Sequence, residues 1–283
     1  MNSEEAFEKT ITEKEFIVPS YYKNFSCKCG DCRTPCCGGW SVTVSMREYF
    51  ELLSLECSDE LRRKINCALH VIDGASENEY ARLTPSWLGT CHLQREDGLC
   101  AECGEWTLPN ICRVYPRCAR SGEVLRLCCS SSCEKTVELF MEQKEPITFE
   151  VSELANDAYV DDGMTKEGFG KQKEYVRILQ NRALSMPRRL EELYKYMFGK
   201  TLPEDACIDL EPLMPIIEYY KDNSGNVSEL CEKYQNLKAD GELERAINEI
   251  ERIYPDLEIL IEHLIVNHVF YSAFPIGEKR ISE

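Results

Sequence analysis

The sequence predicts a mainly α-helical protein whose N-terminal half is cysteine-rich and loop-dominated and contains a few short strands. The C-terminal half carries the helical part of this prediction, because its apolar residues recur at helical spacing in one segment after another. The N-terminal half holds 15 of the 17 cysteines, all between Cys27 and Cys133, among glycines and prolines that favour tight turns over helices.

The first regular elements are predicted around the densest cysteine segment. Residues 1–18 are interpreted as a polar lead-in that ends in the first packing residues. Apolar residues alternate with polar ones over 40–44, which is the period of a short, half-buried strand. Ser45 and Glu48 then match the S-x-x-E capping box, so a helix is expected to begin there. A second helix is expected from Ser58.

The end of the cysteine-rich half is predicted to contain two further strands and one helix. Residues 123–127 follow a Ser-Gly turn and form the first strand candidate. After Cys133 the apolar spacing becomes helical, and Pro146 is expected to end that helix. The segment ITFEV at 147–151 is the second strand candidate.

Beyond this point the chain is poor in cysteine and predicted to be helical. A loop or linker is expected at DDGMTKEGFG, residues 161–170. It separates a cysteine-rich metal- or cluster-binding region at 18–150 from a helical region at 165–283 that packs on it. The helices are predicted over 175–184, 185–199, 210–220, 227–237 and 243–253, and from Pro255 onward.

The charge balance argues against one class of partner. The net charge is −17, and the basic residues are scattered among more numerous acidic ones. Phosphate backbones are bound by clustered Lys and Arg, so nucleic-acid binding is not expected. An acidic surface can attract a lysine-bearing protein, although most such charge only aids solubility.

The composition predicts a cytoplasmic protein. The opening MNSEEAFEKTITEKEF is acidic early and lacks an apolar core, unlike a secretory signal. No run of about 18 apolar residues occurs, so neither a membrane-spanning helix nor a membrane partner is expected. The chain is long enough to bury a core without disulfides, and an odd number of cysteines favours reduced or metal-bound thiols.

The density of cysteines predicts metal binding. Thiolates bind zinc and iron–sulfur clusters, and both kinds of site use closely spaced cysteines. The residues alone leave both kinds of site open, with disulfides or free thiols as further alternatives. Adjacent Cys36 and Cys37 are not expected to bind one metal without strain. Short spacings occur at Cys27-x4-Cys32, Cys29-x2-Cys32, Cys32-x3-Cys36 and Cys100-x2-Cys103.

Two cysteine-rich blocks resemble motifs of the flagellin lysine-N-methylase family. The first block, FSCKCGDCRTPCCGGW, resembles the family's F-x-C-x4-C-x3-C-C-x-G-W motif, with Cys29 as an extra cysteine. The second is similar to its C-x-x-L…G-L-C and C-x-x-Y-P-R segments, followed by a serine–cysteine pair. The similarity extends over residues 18–275, and the matching residues are Phe25, Cys27, Cys32, Cys36, Cys37, Gly39, Trp40, Cys91, Leu93, Gly98, Leu99, Cys100, Cys112, Tyr115, Pro116, Arg117, Ser132 and Cys133.

The resemblance implies an enzyme that uses S-adenosylmethionine to methylate the lysine ε-amine of flagellin and that carries a [4Fe–4S] cluster. Arg117, beside Tyr115, is the candidate contact for the carboxylate of this cofactor, since a guanidinium binds carboxylates in a bidentate manner. A structural salt bridge or carbonyl contact is the alternative for Arg117. No catalytic residue is assigned. The implied cluster ligands are Cys27, Cys32, Cys36, Cys37, Cys91, Cys100, Cys112 and Cys133.

Two alternatives to an enzyme stay open. The cysteine core is also similar to that of small zinc- or iron-chelating proteins with a C…C…CC…C motif, which implies a non-catalytic chelating protein, with zinc as an alternative metal. A structural zinc module that presents the helical half to a partner is the third interpretation. The sequence contains no Rossmann glycine fingerprint, Walker loop or G-x-S-x-G elbow, so those catalytic classes are not expected.

Overall fold

The protein is a mixture of helices and sheets, so the prediction of a mainly α-helical fold is wrong. The computed structural model describes residues 14–33, 35–38, 41–95, 100, 109–154, 159–201, 245, 248 and 252–271. Within these ranges, eight strands form a five-stranded and a three-stranded sheet, accompanied by seven α-helices. No helix in these ranges is both long and apolar enough to cross a membrane.

Strands and helices are interspersed along the described chain. The strands are β1 Lys14–Pro19, β2 Val42–Val44, β3 Leu69–Val71, β4 Ala81–Leu83, β5 Arg117–Gly122, β6 Arg126–Cys129, β7 Phe149–Leu154 and β8 Tyr159–Met164. The α-helices are α1 Met46–Ser54, α2 Asp59–Ala68, α3 Asn110–Val114, α4 Glu134–Glu142, α5 Lys166–Leu179, α6 Met186–Phe198 and α7 Leu257–Tyr271. Single 3-10 turns occur at Tyr22–Asn24 and Cys29–Asp31.

The chain divides into two compact units. Residues 1–173 together with 267–283 form the first unit, which contains both sheets, and residues 174–266 form the second. The predicted division into a metal- or cluster-binding region at 18–150 and a helical region at 165–283 stays a prediction, because the two units are defined by packing and not by what they bind. The loop or linker predicted at 161–170 is wrong, since these residues end β8 and begin α5.

The five-stranded sheet joins segments that are far apart in the sequence. Its strand order is β7-β1-β6-β5-β8. β1 runs antiparallel to β7, beginning with Lys14 opposite Leu154, and parallel to β6. β5 and β6 form an antiparallel hairpin, and β8 joins parallel to β5. Phe16 and Val18 are buried as expected, but they lie in a strand that the sequence did not predict, because the partners of β1 are distant along the chain.

The three-stranded sheet packs with α1 and α2 around an apolar core. The strand predicted at 40–44 is confirmed as β2, and the predicted capping box is present. The N–H of Glu48 donates to Ser45 Oγ at 3.3 Å, and the N–H of Ser45 donates to the Glu48 carboxylate at 2.7 Å. Ser58 precedes α2, also as predicted. The core consists of Val44, Leu52, Ile65, Ala68, Leu69, Ala81, Leu83 and Leu93.

Where the structure describes them, the helices and strands predicted after Cys118 are of the expected type, but most begin or end at other residues than predicted. α4 begins directly after Cys133, as predicted, and ends four residues before Pro146. α6 ends before Gly199, the predicted stop, whose left-handed φ of 65° suits glycine. β6 and β7 stand where strands were predicted but begin two or three residues later. Nearly all residues of three predicted helices lie outside the described ranges, at 210–220, 227–237 and 243–253.

A buried triangle of hydrogen bonds connects three segments of the first unit. The hydroxyl of Tyr21 donates to Asn267 Oδ1, and Asn267 Nδ2 donates to the Cys129 carbonyl at 3.0 Å. The Cys129 N–H donates to Tyr21 Oη at 3.2 Å. Tyr21 is 2% exposed and Asn267 is 3% exposed, so water cannot replace these partners. The triangle therefore holds Asn267 and Tyr21, the second residue after β1, against the end of β6.

The substitution Tyr21→Phe tests this triangle, since it removes the hydroxyl and keeps the ring. Asn267 Oδ1 and the Cys129 N–H would lose a buried partner, so the free energy of unfolding should fall by about 1–3 kcal/mol. Urea denaturation followed by circular dichroism measures the change. Tyr196→Phe is the control, because Tyr196 is 51% exposed, and should change it by less than about 0.5 kcal/mol. Equal effects of the two substitutions would contradict this account.

Candidate metal centre

Nine cysteines line a single cavity of about 180 Å³ in the first unit. They include all eight cysteines that the sequence resemblance assigned to a cluster, and Cys29 is the ninth. None of these nine cysteines is part of a disulfide within the described residues. The motif residues Gly39, Trp40, Gly98 and Leu99, and also Cys103, lie outside the described residues. The cavity cysteines are Cys27, Cys29, Cys32, Cys36, Cys37, Cys91, Cys100, Cys112 and Cys133.

Main-chain contacts bring the two cysteine-rich blocks together. The N–H of Cys91 donates to the carbonyl of Cys37 at 2.6 Å. Beside this bond, Gly38 and Thr90 form an isolated antiparallel bridge. The end of the first block therefore lies along the start of the second, which explains how thiols so distant in sequence reach one cavity.

The helices α3 and α4 supply the remaining thiols. Cys112 lies in α3, whose first residue Asn110 donates its N–H to Glu48 Oε1 at 2.6 Å. The carboxylate that closes the capping box of α1 thereby also positions α3. Cys133 is the N-cap residue of α4, so the start of this helix brings its side chain to the cavity.

The wall of the cavity is mostly apolar, with a charged edge. An apolar wall excludes water and strengthens electrostatic interactions inside the cavity. The charged edge consists of Lys28, Glu134 and Lys135. The apolar wall consists of Val42, Leu83, Pro85, Leu93, Pro109, Ile111 and Pro116.

Burial changes the protonation of these thiols. It raises the pKa of Cys91 above the ordinary thiol value. Burial, together with the negative charge of Glu134, also raises the pKa of Cys32. Both thiols are therefore protonated at neutral pH in the metal-free protein. A metal must displace these protons to bind, so its affinity should increase with pH.

The adjacent thiols Cys36 and Cys37 have opposite shifts. A hydrogen bond from the Cys37 thiol lowers the pKa of Cys36, and the same bond raises the pKa of Cys37. Cys36 is also exposed, whereas Cys37 is half-buried. The pair therefore offers one reactive thiolate and one thiol in the metal-free protein.

The donor set fits a thiophilic metal by its chemistry, since zinc and iron–sulfur clusters are both held by cysteine thiolates. Within the described part of the chain, however, no three His, Cys, Asp or Glu side chains are gathered closely enough to hold a metal ion. Metal binding would therefore require the thiol side chains to turn toward one another. The ligand assignment stays a prediction, and so does the identity of the metal.

The two residues assigned to S-adenosylmethionine occupy different places. Tyr115 lines the cavity, where its hydroxyl is 3.0 Å from Ser132 Oγ and burial raises its pKa to about 12. Arg117 is absent from the described lining. Its Nη2 donates to the Phe25 carbonyl at 3.2 Å, and its guanidinium lies 4.9 Å from the centre of the Phe25 ring. These contacts are of the kind expected if Arg117 has a structural role, in which it binds a backbone carbonyl. Its role in binding S-adenosylmethionine stays a prediction.

Sequence reasoning missed three residues at the cavity. Cys29 was set aside as an extra cysteine, yet it lines the cavity together with Lys28 and Glu134. The dense spacing of the first block was a signal for Cys29. Only the fold could reveal Glu134, because a charged residue in the first turn of a helix usually serves the helix itself.

The hydrogen bond between Cys36 and Cys37 can be tested by alkylation. In Cys37→Ala, the pKa of Cys36 should return toward the ordinary value, which lowers its thiolate fraction at pH 7. Lower thiolate content outweighs the higher nucleophilicity of a more basic thiolate, so Cys36 should react about fivefold more slowly with iodoacetamide. Mass spectrometry of the metal-free protein measures this rate.

The matched control is Cys67→Ala, which removes an exposed thiol on α2 that is not part of the cavity. It should leave the rate of Cys36 unchanged. An unchanged rate in Cys37→Ala would contradict the proposed effect of the hydrogen bond.

Comparison with known proteins finds similarity over only part of the chain. The chain is similar to a lysine-N-methylase from Salmonella choleraesuis (strain SC-B67), with 29% identity over 114 residues. The aligned segment is 39% of this chain and 27% of that protein, so the chain spans about a quarter of the length of the relative it matches. No family model matches the sequence. No solved structure matches the protein. The similarity indicates a lysine methyltransferase as a relative, over too little of either chain to assign a family.

Proposed function

We propose that the protein is an S-adenosylmethionine-dependent protein lysine N-methyltransferase that carries a cysteine-bound [4Fe–4S] cluster. The observation that carries this proposal is the convergence of all eight motif cysteines on one cavity. Cysteines that serve only as small apolar residues are buried in local cores, as Cys128 and Cys129 are in β6. Eight thiols from separate segments around one space favour a shared ligand instead.

The methyltransferase part of the proposal depends on two similarities. The motif residues resemble those of flagellin lysine-N-methylases, and the relative from Salmonella choleraesuis is named a lysine-N-methylase. A protein substrate with exposed lysines, flagellin by resemblance, follows from both. The net charge of −17 supports such a partner, since it attracts a lysine-bearing surface.

Methyl transfer requires a neutral lysine. The bond formed joins lysine Nζ to the methyl carbon, and the bond broken joins that carbon to the sulfonium sulfur, while the ammonium proton is lost beforehand. An apolar wall such as that formed by Leu83, Leu93 and Ile111 lowers a lysine pKa, because it disfavours the charged form.

The cysteines of the two blocks would hold the cluster, which supplies electron-transfer chemistry when bound. The chain's own residues contribute the surroundings. Tyr115 is in place to contact a molecule in the cavity, and Lys28 with Lys135 carries positive charge at its edge.

A second candidate function is a non-catalytic zinc- or iron-chelating protein. The volume of the cavity favours it, because about 180 Å³ is below the roughly 300–1,000 Å³ of pockets that take small organic ligands. That volume suits a metal centre better than a nucleoside cofactor. The two candidates share the thiol set and differ in whether S-adenosylmethionine binds.

Iron content distinguishes the candidates. Protein purified without oxygen should contain about four irons per chain and absorb broadly near 400 nm, as cubane clusters do. Cys32→Ala removes a cavity thiol that belongs to three of the short spacings, so its iron content should fall by at least half. Cys67→Ala, which removes a thiol away from the cavity, should retain the iron. Colourless wild-type protein containing zinc would favour the chelating protein.

Methyl transfer is tested with isotopically labelled S-adenosylmethionine and flagellin. The iron-loaded protein should transfer label to lysine side chains, and the site is read by mass spectrometry. Cys32→Ala should lose at least about tenfold in rate, in line with the loss of a metal ligand. Saturable binding of S-adenosylmethionine without transfer would move the proposal to another acceptor protein. Absence of both binding and transfer would contradict the methyltransferase.

A further inference from the structure

A single carboxylate contacts both ends of the turn in the first cysteine block. The turn Cys29–Asp31 has Lys28 before it and Arg33 shortly after it. Oε1 of Glu134, the first residue of α4, accepts from Lys28 Nζ at 2.6 Å. Oε2 of the same carboxylate accepts from the backbone N–H of Arg33 at 2.8 Å. Glu134 therefore bridges the chain segments that enter and leave the turn.

The bridge is reinforced and partly shielded from water. Lys28 Nζ also donates to Oε1 of Glu138, one turn along α4, at 2.6 Å. The side chains of Lys28 and Glu134 are 23% and 12% exposed. By contrast, the pair between Lys23 and Glu150 has the same 2.6 Å separation but is more than half exposed on both sides. Shielded, charge-assisted hydrogen bonds hold their geometry better than exposed pairs do.

The backbone of the turn also requires support. Cys29 has a left-handed φ of 53°, which is unfavourable for a residue other than glycine. Such a conformation persists where surrounding contacts hold it in place. The contacts of Glu134 flank Cys29 on both sides, and the N–H of Cys29 lies 3.3 Å from Cys27 Sγ.

We infer that Glu134 is a positioning residue of the thiol cavity. Its carboxylate holds residues 27–33, which include Cys27, Cys29 and Cys32, against the start of α4, beside Cys133. This inference deepens the proposed function and rests on it only for what the thiols bind. The ordering of the turn itself is a property of the metal-free chain.

The type of side chain at position 134 is central to this role. A carboxylate presents two acceptor oxygens to two donors, and its charge matches the ammonium of Lys28. The amide of Gln is neutral and presents an NH2 donor in place of one of the two oxygens, so one of the two donors loses the oxygen that it contacts and the other keeps only an uncharged acceptor. Glu138 contacts only Lys28 among these donors and cannot take over the bridge.

Hydrogen exchange of the metal-free protein tests the bridge directly. In Glu134→Gln, the amide of Arg33 should exchange about tenfold faster, because the charge-assisted hydrogen bond that protects it is replaced by at most a weaker, uncharged one. The exchange of α1 should be unchanged, which separates a local effect from general destabilisation. Glu150→Gln, which removes the exposed pair of equal length, should leave the Arg33 amide unchanged. Unchanged exchange at Arg33 in Glu134→Gln would overturn the inference.

Lys28→Gln is a second variant that leaves α4 intact, in case Glu134→Gln does not fold. It removes one end of the bridge and keeps the bond to Arg33, so the segment 27–33 should exchange faster by a smaller factor, about threefold. Equal exchange in Lys28→Gln and the wild type would count against the bridge.

Zinc titration against a chromophoric chelator connects the bridge to metal binding. Glu134→Gln should bind zinc about tenfold more weakly than the wild type, as for loss of a residue that orients metal ligands, whereas Glu150→Gln should bind it equally well. Equal affinity in Glu134→Gln and the wild type would overturn the positioning role. Faster exchange at Arg33 in a protein that binds neither zinc nor iron would support the bridge while contradicting the proposed function.

Discussion

The parallel pairing of β1 with β6 is the constraint on which the cavity depends. Neighbouring parallel strands end at the same edge of a sheet, so the chain that follows β1 and the chain that follows β6 leave side by side. The first continues into the Cys27 block and the second into Cys133. β5 is antiparallel to β6, so the segment that precedes β5, with Cys112, also lies at this edge. Three sets of thiols thus meet because of strand direction, before any side-chain contact is considered.

The crowding of thiols at this edge has an electrostatic consequence. Burial raises the pKa of Cys91 and Cys112, and ionised neighbouring thiols raise it further, so the metal-free cavity disfavours more than a few thiolates. Cys36 is the exception, because Cys37 donates a hydrogen bond to it that lowers its pKa. A bound cation would remove the mutual repulsion of the remaining thiolates. The arrangement is therefore less favourable for free thiols than for thiols that share a positive partner.

Local signals predicted the elements whose stabilising contacts are local. The capping box of Ser45 and Glu48, and the glycine stop at Gly199, depend on neighbours within one turn, and both are confirmed. β1 and β8 depend on partners elsewhere in the chain, so the lead-in and the linker interpretations missed them. The motifs that carry the family resemblance contain eight of the nine cysteines that line the cavity. They could not identify Glu134 or the contacts of Arg117 with Phe25, since those follow from strand order and not from spacing.

The apolar wall of the cavity would affect metal exchange and a reaction at a lysine amine in opposite ways. A chelating protein that takes up and releases metal needs water and exchangeable ligands at its site, which a wall of residues such as Leu83, Leu93 and Pro109 restricts. A reaction at a lysine amine instead needs water to be excluded, because water stabilises the ammonium form and an apolar wall destabilises it. Hydrogen bonds to Glu134 and Glu138 raise the pKa of Lys28, whereas a substrate lysine that entered the cavity without such partners would lose its proton more easily. The same wall therefore lowers access for metal exchange and disfavours the charged form of any lysine amine that enters the cavity.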